Sequence, residues 1–276
     1  MKAMPYKTIL VHAEAAQASD ARVRLAVQVA GMFGSKVIGL AAEGFFPIMT
    51  SGYAASDSMV IDAVRERIAA DLPVAEQRFR TLTAEVDDGV VWITGYDYPA
   101  VEIARHARGA DLVIAARPPR GCNSAFAAPA ADVVLEAGVP VLMAADSEAS
   151  LRADHVLVAW KNTRESRRAL ADALPFLMRA TKVTVLVVSG ESDEVEQVGL
   201  HELAARLARH GVNIETLVAP KGRGTVAETI ERTATRLQAD LIVMGAYGHS
   251  RLQEWVLGGV TEDLLATSPR FVLFSH

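Results

Sequence analysis

The sequence predicts an α/β protein of two tandem domains, each a parallel sheet with helices on both faces, and three observations carry that expectation. The chain has 276 residues, which suits two domains at the usual ~100–200 residues each. A segment in its first half, Asp111-Leu-Val-Ile-Ala-Ala116, returns as Asp240-Leu-Ile-Val-Met-Gly245, an offset of 129 residues that marks an internal repeat. Short apolar runs without period-2 alternation also alternate with helical patterns, as expected of strands buried on both faces between crossover helices.

In the second half the strands are read at Val156–Ala159, Val183–Val188, Ile214–Val218, Leu241–Met244 and Phe271–Phe274. Between them, apolar residues fall at helical spacing: Leu170, Leu174 and Leu177; then Leu200, Leu203, Ala204 and Leu207; then Val226, Ile230, Ala234 and Leu237. Asn162 with Glu165, and Thr225 with Glu228, have the spacing of a capping box, and Gly211 reads as a helix stop. The first half repeats this order. Thr8–Val11 parallels Val156–Ala159, Lys36–Leu40 parallels Lys182–Leu186, and Val139–Met143 parallels Phe271–Phe274. Its first helix runs through Leu25, Val29 and Phe33 to Gly34, and a Gly/Ser/Ala-rich loop at 44–58 precedes a helix over roughly 58–84. The joint is read in the polar stretch Asp146–Asp154, giving domains 1–148 and 152–276.

Composition narrows the function classes. Apolar types make 51% and charged types 22%, an ordinary core and surface rather than a disordered chain. The net charge of −5 leaves no footprint for nucleic acid or an anionic membrane, so neither is expected as a partner. All of that excess lies in residues 1–150, with 13 basic and 18 acidic side chains, whereas residues 151–276 hold 15 of each. The second half is therefore the easier place to accept an anion. The single cysteine, Cys122, excludes an intrachain disulfide and a cysteine-based zinc cluster. With no apolar run near ~18 residues and no leader pattern at the start, the expected location is the cytoplasm.

The segment richest in chemistry is Gly245-Ala-Tyr-Gly248-His-Ser-Arg-Leu-Gln-Glu-Trp-Val-Leu-Gly258-Gly259-Val260-Thr261. In an open parallel sheet the ligand crevice lies outside the carboxyl ends of the strands, where this connection falls. Gly245 and Gly248 let the backbone approach a ligand, while Gly258 and Gly259 expose amides before a helix beginning near Thr261, where anions are favoured. No Gly-Lys-Ser/Thr follows, so it is not a Walker loop. Its position after the fourth strand also sets it apart from the dinucleotide fingerprint.

Here the sequence resembles the universal stress protein family, whose nucleotide-binding members have Gly, two residues, Gly, nine residues, Gly, then Ser or Thr after the fourth strand. Gly245, Gly248 and Gly258 meet that spacing, with Val260 and Thr261 following, and Val158–Leu170 resembles the family's first strand and helix. The resemblance implies flavodoxin-like (Rossmann-like) domains with strand order 3-2-1-4-5. It also implies last strands that pair antiparallel into an intrachain pseudo-dimer, and whole-chain dimerisation. It further implies that an adenine nucleotide, ATP with or without Mg2+, sits against Ala159, Lys161, Val188, Met244, Gly245, Gly248, Ser250, Arg251, Gly258, Gly259, Val260 and Thr261. The function so implied is a stress-response sensor or adaptor with an unidentified protein partner, at most a weak ATPase. The alternative is a nucleotide-free interaction module with a vestigial cleft.

Two departures from the family pattern bear on that choice. Gly259 stands where the family has Ser or Thr, losing a hydroxyl, and Lys161 stands where nucleotide-binding members have an Asp contacting the nucleoside. The first-half loop, Ala116–Asp132, has lost the glycine pattern and is two residues shorter, so no nucleotide is expected there. Other polar residues have plainer readings. His249 lacks the partner histidine of a nucleotidyl-transfer motif. His12 with Glu14, and His201 with Glu202, lack further ligands for a metal and are read as solvated or capping. Arg164, Arg167 and Arg168 form a wet helix face, Trp255 packs against apolar neighbours, and Cys122 is an ordinary thiol, with redox sensing as its alternative. No nucleophile pair or metal-binding carboxylate cluster is evident near the glycine loop, so no catalytic residue is assigned.

Overall fold

The computed structural model describes residues 5–42, 57–86, 89–115, 129–145, 150–189, 194–222, 224–248 and 259–276. The first domain runs β1 (Thr8–His12), α1 (Asp20–Phe33), β2 (Lys36–Ala42), α2 (Asp57–Leu82), β3 (Val90–Gly95), α3 (Pro99–Ala107), β4 (Leu112–Ala115), α4 (Ala130–Glu136) and β5 (Val141–Met143). The second runs β6 (His155–Ala159), α5 (Arg164–Asp172), α6 (Leu174–Arg179), β7 (Lys182–Ser189), α7 (Glu194–Arg209), β8 (Ile214–Pro220), α8 (Val226–Leu237), β9 (Leu241–Gly245), α9 (Val260–Thr267) and β10 (Phe271–Ser275).

The strands form one ten-stranded sheet in the order β3-β2-β1-β4-β5-β10-β9-β6-β7-β8. Each half thus has the expected order 3-2-1-4-5. The halves join where β5 and β10 pair antiparallel, Leu142 opposite Leu273, and every other pairing is parallel. Alternate residues of each strand feed two apolar layers. Ile9 and Val11 belong to one continuous layer with Val23 of α1, Phe79 of α2, Leu170 of α5, Phe176 of α6 and Leu200 of α7. Leu10 faces the layer of Ile103 of α3, Val133 of α4, Ile230 of α8 and Leu264 of α9. Burial on both faces is why the strand sequences are continuously apolar.

The repeated aspartate has a structural origin. Asp111 Oδ2 accepts the main-chain N–H groups of Lys7 and Thr8 at 2.7 and 2.9 Å, and Asp240 does the same for Asp154 and His155 at 3.2 Å each. In each half, then, the residue before the fourth strand ties down the start of the first.

Two local expectations need correction. The segment through Leu170, Leu174 and Leu177 is not one helix but two, α5 and α6, breaking at Ala173 with Pro175 in the first turn of α6, where a missing N–H costs nothing. The cap of α5 is Thr163 rather than Asn162: Thr163 Oγ1 accepts the Ser166 N–H at 3.3 Å, while Asn162 Oδ1 accepts from Arg167. The Thr225–Glu228 capping box forms as expected. Helix α2 spans Asp57–Leu82, close to the span read from the sequence, and the loop read at 44–58 lies almost wholly outside the described residues.

The two domains meet through an aromatic cluster. Tyr6 and Phe33 of the first and Phe176 of the second lie with ring centroids 5.1–5.5 Å apart, and the Tyr6 hydroxyl donates to the Asp172 carbonyl at 2.6 Å. The joint is also held: Leu151 is fully buried and exchanges two hydrogen bonds with the side chain of Gln28.

Candidate functional site

In the second domain the chain leaves β6 toward β7 on one side and β9 toward β10 on the other, so the crevice of an open parallel sheet falls at the carboxyl ends of β6 and β9. Ala159, the last residue of β6, lies in register beside Met244, the last but one of β9, and Val188 lies near the carboxyl end of β7. Beyond Ala159 the chain passes through buried Trp160 and exposed Lys161 to the Thr163 cap of α5.

Gly245 sits directly against the start of that helix. A Cβ there would lie 2.4 Å from the Ser166 nitrogen and 2.5 Å from the Glu165 carbonyl carbon. Both are backbone atoms that cannot turn aside. Gly245→Ala is therefore expected to displace α5 and cost about 1–3 kcal/mol, seen as a lower urea midpoint at unchanged slope. At Gly248 the neighbour is the Glu165 carboxylate, 3.0 Å from a Cβ, a flexible group that can move. Gly248→Ala should cost less.

Tyr247 fixes the turn between these glycines. Its φ of 55° is left-handed, which a non-glycine residue adopts only when held. Its N–H donates to Thr261 Oγ1 at 3.3 Å, its hydroxyl to Glu262 Oε1 at 2.7 Å, and its ring meets the edge of His276, which in turn contacts the Ala246 carbonyl. Thr261, the second residue of α9, is buried and spends its oxygen on this loop amide. The cap of α9 is Gly259, extended and without a side-chain bond to the helix amides. Val260 follows, half-buried. The structure thus brings Ala159, Met244, Gly245, Gly248, Gly259, Val260 and Thr261 to one end of the sheet. Ser250, Arg251 and Gly258, with His249 and Trp255, lie outside the described residues.

Sequence reading missed Glu165 as a site residue. It is almost wholly buried, with its carboxylate under Gly248. Burial opposes its ionisation, but hydrogen bonds from its own main chain, Arg164 and Thr163, together with the Arg164 charge, prevail and hold the carboxyl below its ordinary value. Its position four residues before buried Ala169 is the one sequence cue to an inward face.

In the first domain His12 corrects the solvated reading. It ends β1 with 1% exposure, Nδ1 3.6 Å from Glu14, and the Glu14 carboxylate takes the buried Arg22 guanidinium at 2.8 Å. Burial and the Arg22 charge lower His12 to about 4. His201 and Glu202 are exposed as expected. Among the described residues no group of three metal-ligating side chains occurs, and no helix is long and apolar enough to cross a membrane.

Residues 152–276 match the model of the universal stress protein family. The second domain belongs to that family, and the first repeats its fold. A universal stress protein from Archaeoglobus fulgidus DSM 4304 is similar over 99% of this chain and 97% of its own, at 17% identity and a TM-score of 0.73. A protein of unknown function from Pseudomonas aeruginosa PAO1 is similar over 99% and 93%, at 20% identity and 0.61. At this identity the likeness concerns the tandem fold. A universal stress protein solved in complex with cAMP also matches, over 50% of this chain and 96% of its own, at 19% identity and a TM-score of 0.34. No curated protein matches the sequence.

Proposed function

We propose that this protein is a cytoplasmic stress-response sensor or adaptor that binds ATP, with or without Mg2+, in the crevice of its second domain. The observation that supports this most is the Tyr247 turn. Its left-handed backbone, pinned to Thr261, holds the main chain of 245–248 against the open start of α9, where helix amides favour an anion. The nucleoside would lie toward Ala159 and Val188, the phosphates toward Gly248 and Gly259, with Lys161 at the rim. The proposed domains divide between residues 148 and 152, and the unidentified protein partner, or a second copy of the chain, reads the occupied state.

Glu165 favours a second reading, a nucleotide-free interaction module. Its fixed carboxylate repels phosphate beside Gly248, and packing against α5 alone accounts for the glycine at 245. Thermal unfolding with Mg-ATP separates the two. A ligand at ~100 times its Kd adds ~2.7 kcal/mol, so a clear rise in Tm is expected. No rise at millimolar Mg-ATP, followed by a rise once Gly259→Ser and Lys161→Asp are introduced, would instead establish the vestigial cleft.

A further inference from the structure

Helix α2 is longer than the sheet it lies over. Its 26 residues span ~39 Å, whereas the seven residues of β2, on which it packs together with α1, span ~23 Å. Ala75 and Phe79 in its carboxyl half are buried, but among the described side chains from Asp62 to Ala70 only Ile68 is. Beside the helix, at the β3 edge of the sheet, runs a groove of about 590 Å³. Ala69, Leu72 and Pro73 give it an apolar centre, Arg65 and Glu76 line it on either side of them along the helix, and Tyr96, just past β3, also lines it.

The charges along this groove have an order. Asp62, Arg65, Ala69, Pro73, Glu76 and Arg80 recur every three or four residues and so share one face of the helix. That face reads negative, positive, small, small, negative, positive. Within the chain, Arg65 pairs with Asp62 at 3.9 Å and Arg80 with Glu76 at 2.6 Å, exposed pairs that contribute little by themselves. A second α2 running antiparallel, with a twofold axis beside Ala70 and Asp71, sets Asp62 against Arg80 of the second copy and Arg65 against its Glu76. The same axis sets Ala69 against Pro73, side chains small enough for the two backbones to come close. Each end then holds four charges of alternating sign, and apolar surface meets apolar surface between them. A parallel copy would instead set Arg65 on Arg65 and Glu76 on Glu76.

We infer that this face of α2 is a self-association surface, through which two copies of the chain pair their α2 helices antiparallel about a twofold axis. Each copy supplies the same patch, as an isologous interface requires. The surface belongs to the first domain and needs no nucleotide, so its failure would leave the Mg-ATP reading of the second domain standing. One helix pair with the neighbouring Tyr96 falls short of the ~1,200–2,000 Å² of a stable interface, so the dimer should form in the micromolar range and weaken with salt.

The test is analytical ultracentrifugation of the full-length protein from micromolar to submillimolar concentration, at low and high salt. The expected result is a mass that rises from 29.5 kDa toward twice that value, and rises less at high salt. Arg65→Glu and Glu76→Arg should each weaken self-association at least about tenfold, by setting like charges opposite each other. Mixing the two variants should restore it, because the mixed pair again sets an anion against a cation at both ends. Both positions lie at the surface, so Tm should change little, which separates lost pairing from lost folding. Ala69→Arg, which places bulk and charge at the exposed centre of the face, should abolish the dimer independently. A monomer at every concentration, a dimer that survives Arg65→Glu and Ala69→Arg, or charge variants that do not pair when mixed overturns the inference.

Discussion

Phe176→Ala is expected to destabilise the protein by about 3–5 kcal/mol, the largest effect of any single substitution considered. The ring is fully buried on α6 of the second domain, yet two of its aromatic neighbours, Tyr6 and Phe33, belong to the first. Truncation removes the transfer energy of the ring and leaves a cavity. That cavity cannot collapse freely, because Tyr6 is tied by its hydroxyl to Asp172 and Phe33 lies under the Arg179 guanidinium, 5.6 Å from the ring centre. The edge-to-face contact with Phe33 adds to the loss. Urea unfolding followed by separate probes in each half is the measurement. The midpoint should fall, and the halves, coupled in the wild type, should unfold at different urea concentrations. A loss below about 1 kcal/mol would mean that the cluster repacks and that the β5–β10 pairing alone joins the domains.

The same cluster shows where sequence reasoning stops. The repeat, the apolar runs and the caps are local patterns, and the strands they predict are present within a residue or two. The order 3-2-1-4-5 and the antiparallel joint came from family resemblance, because periodicity shows that a strand is buried but not which strand lies beside it. Tyr6 and Phe176 are 170 residues apart, and nothing near either residue announces the other. The candidate site divides the same way. Its glycines were legible as spacing, whereas the reason for Gly245 is a close approach by the backbone of α5, visible only in three dimensions. Polar residues were misread where tertiary packing overrides local character. The solvated reading of His12 fails because neighbouring Arg22 shares the helical face of Ala26 and Val29, which carries its guanidinium inward to Glu14 beside that ring.

That buried histidine makes the stability of the fold depend on acid. His12 is neutral in the native state, with its pKa lowered to about 4 from the ordinary 6.5 by burial and by Arg22. Because the folded value lies below the unfolded one, the unfolded chain takes up the proton first. The contribution is complete above pH 6.5 and is lost as pH falls toward 4. Its full size is about 3 kcal/mol, of which about 2 should be gone by pH 5. Urea unfolding at pH 7.5 and 5 measures the difference, and His12→Leu should abolish most of it. A variant as acid-sensitive as the wild type would place the loss elsewhere.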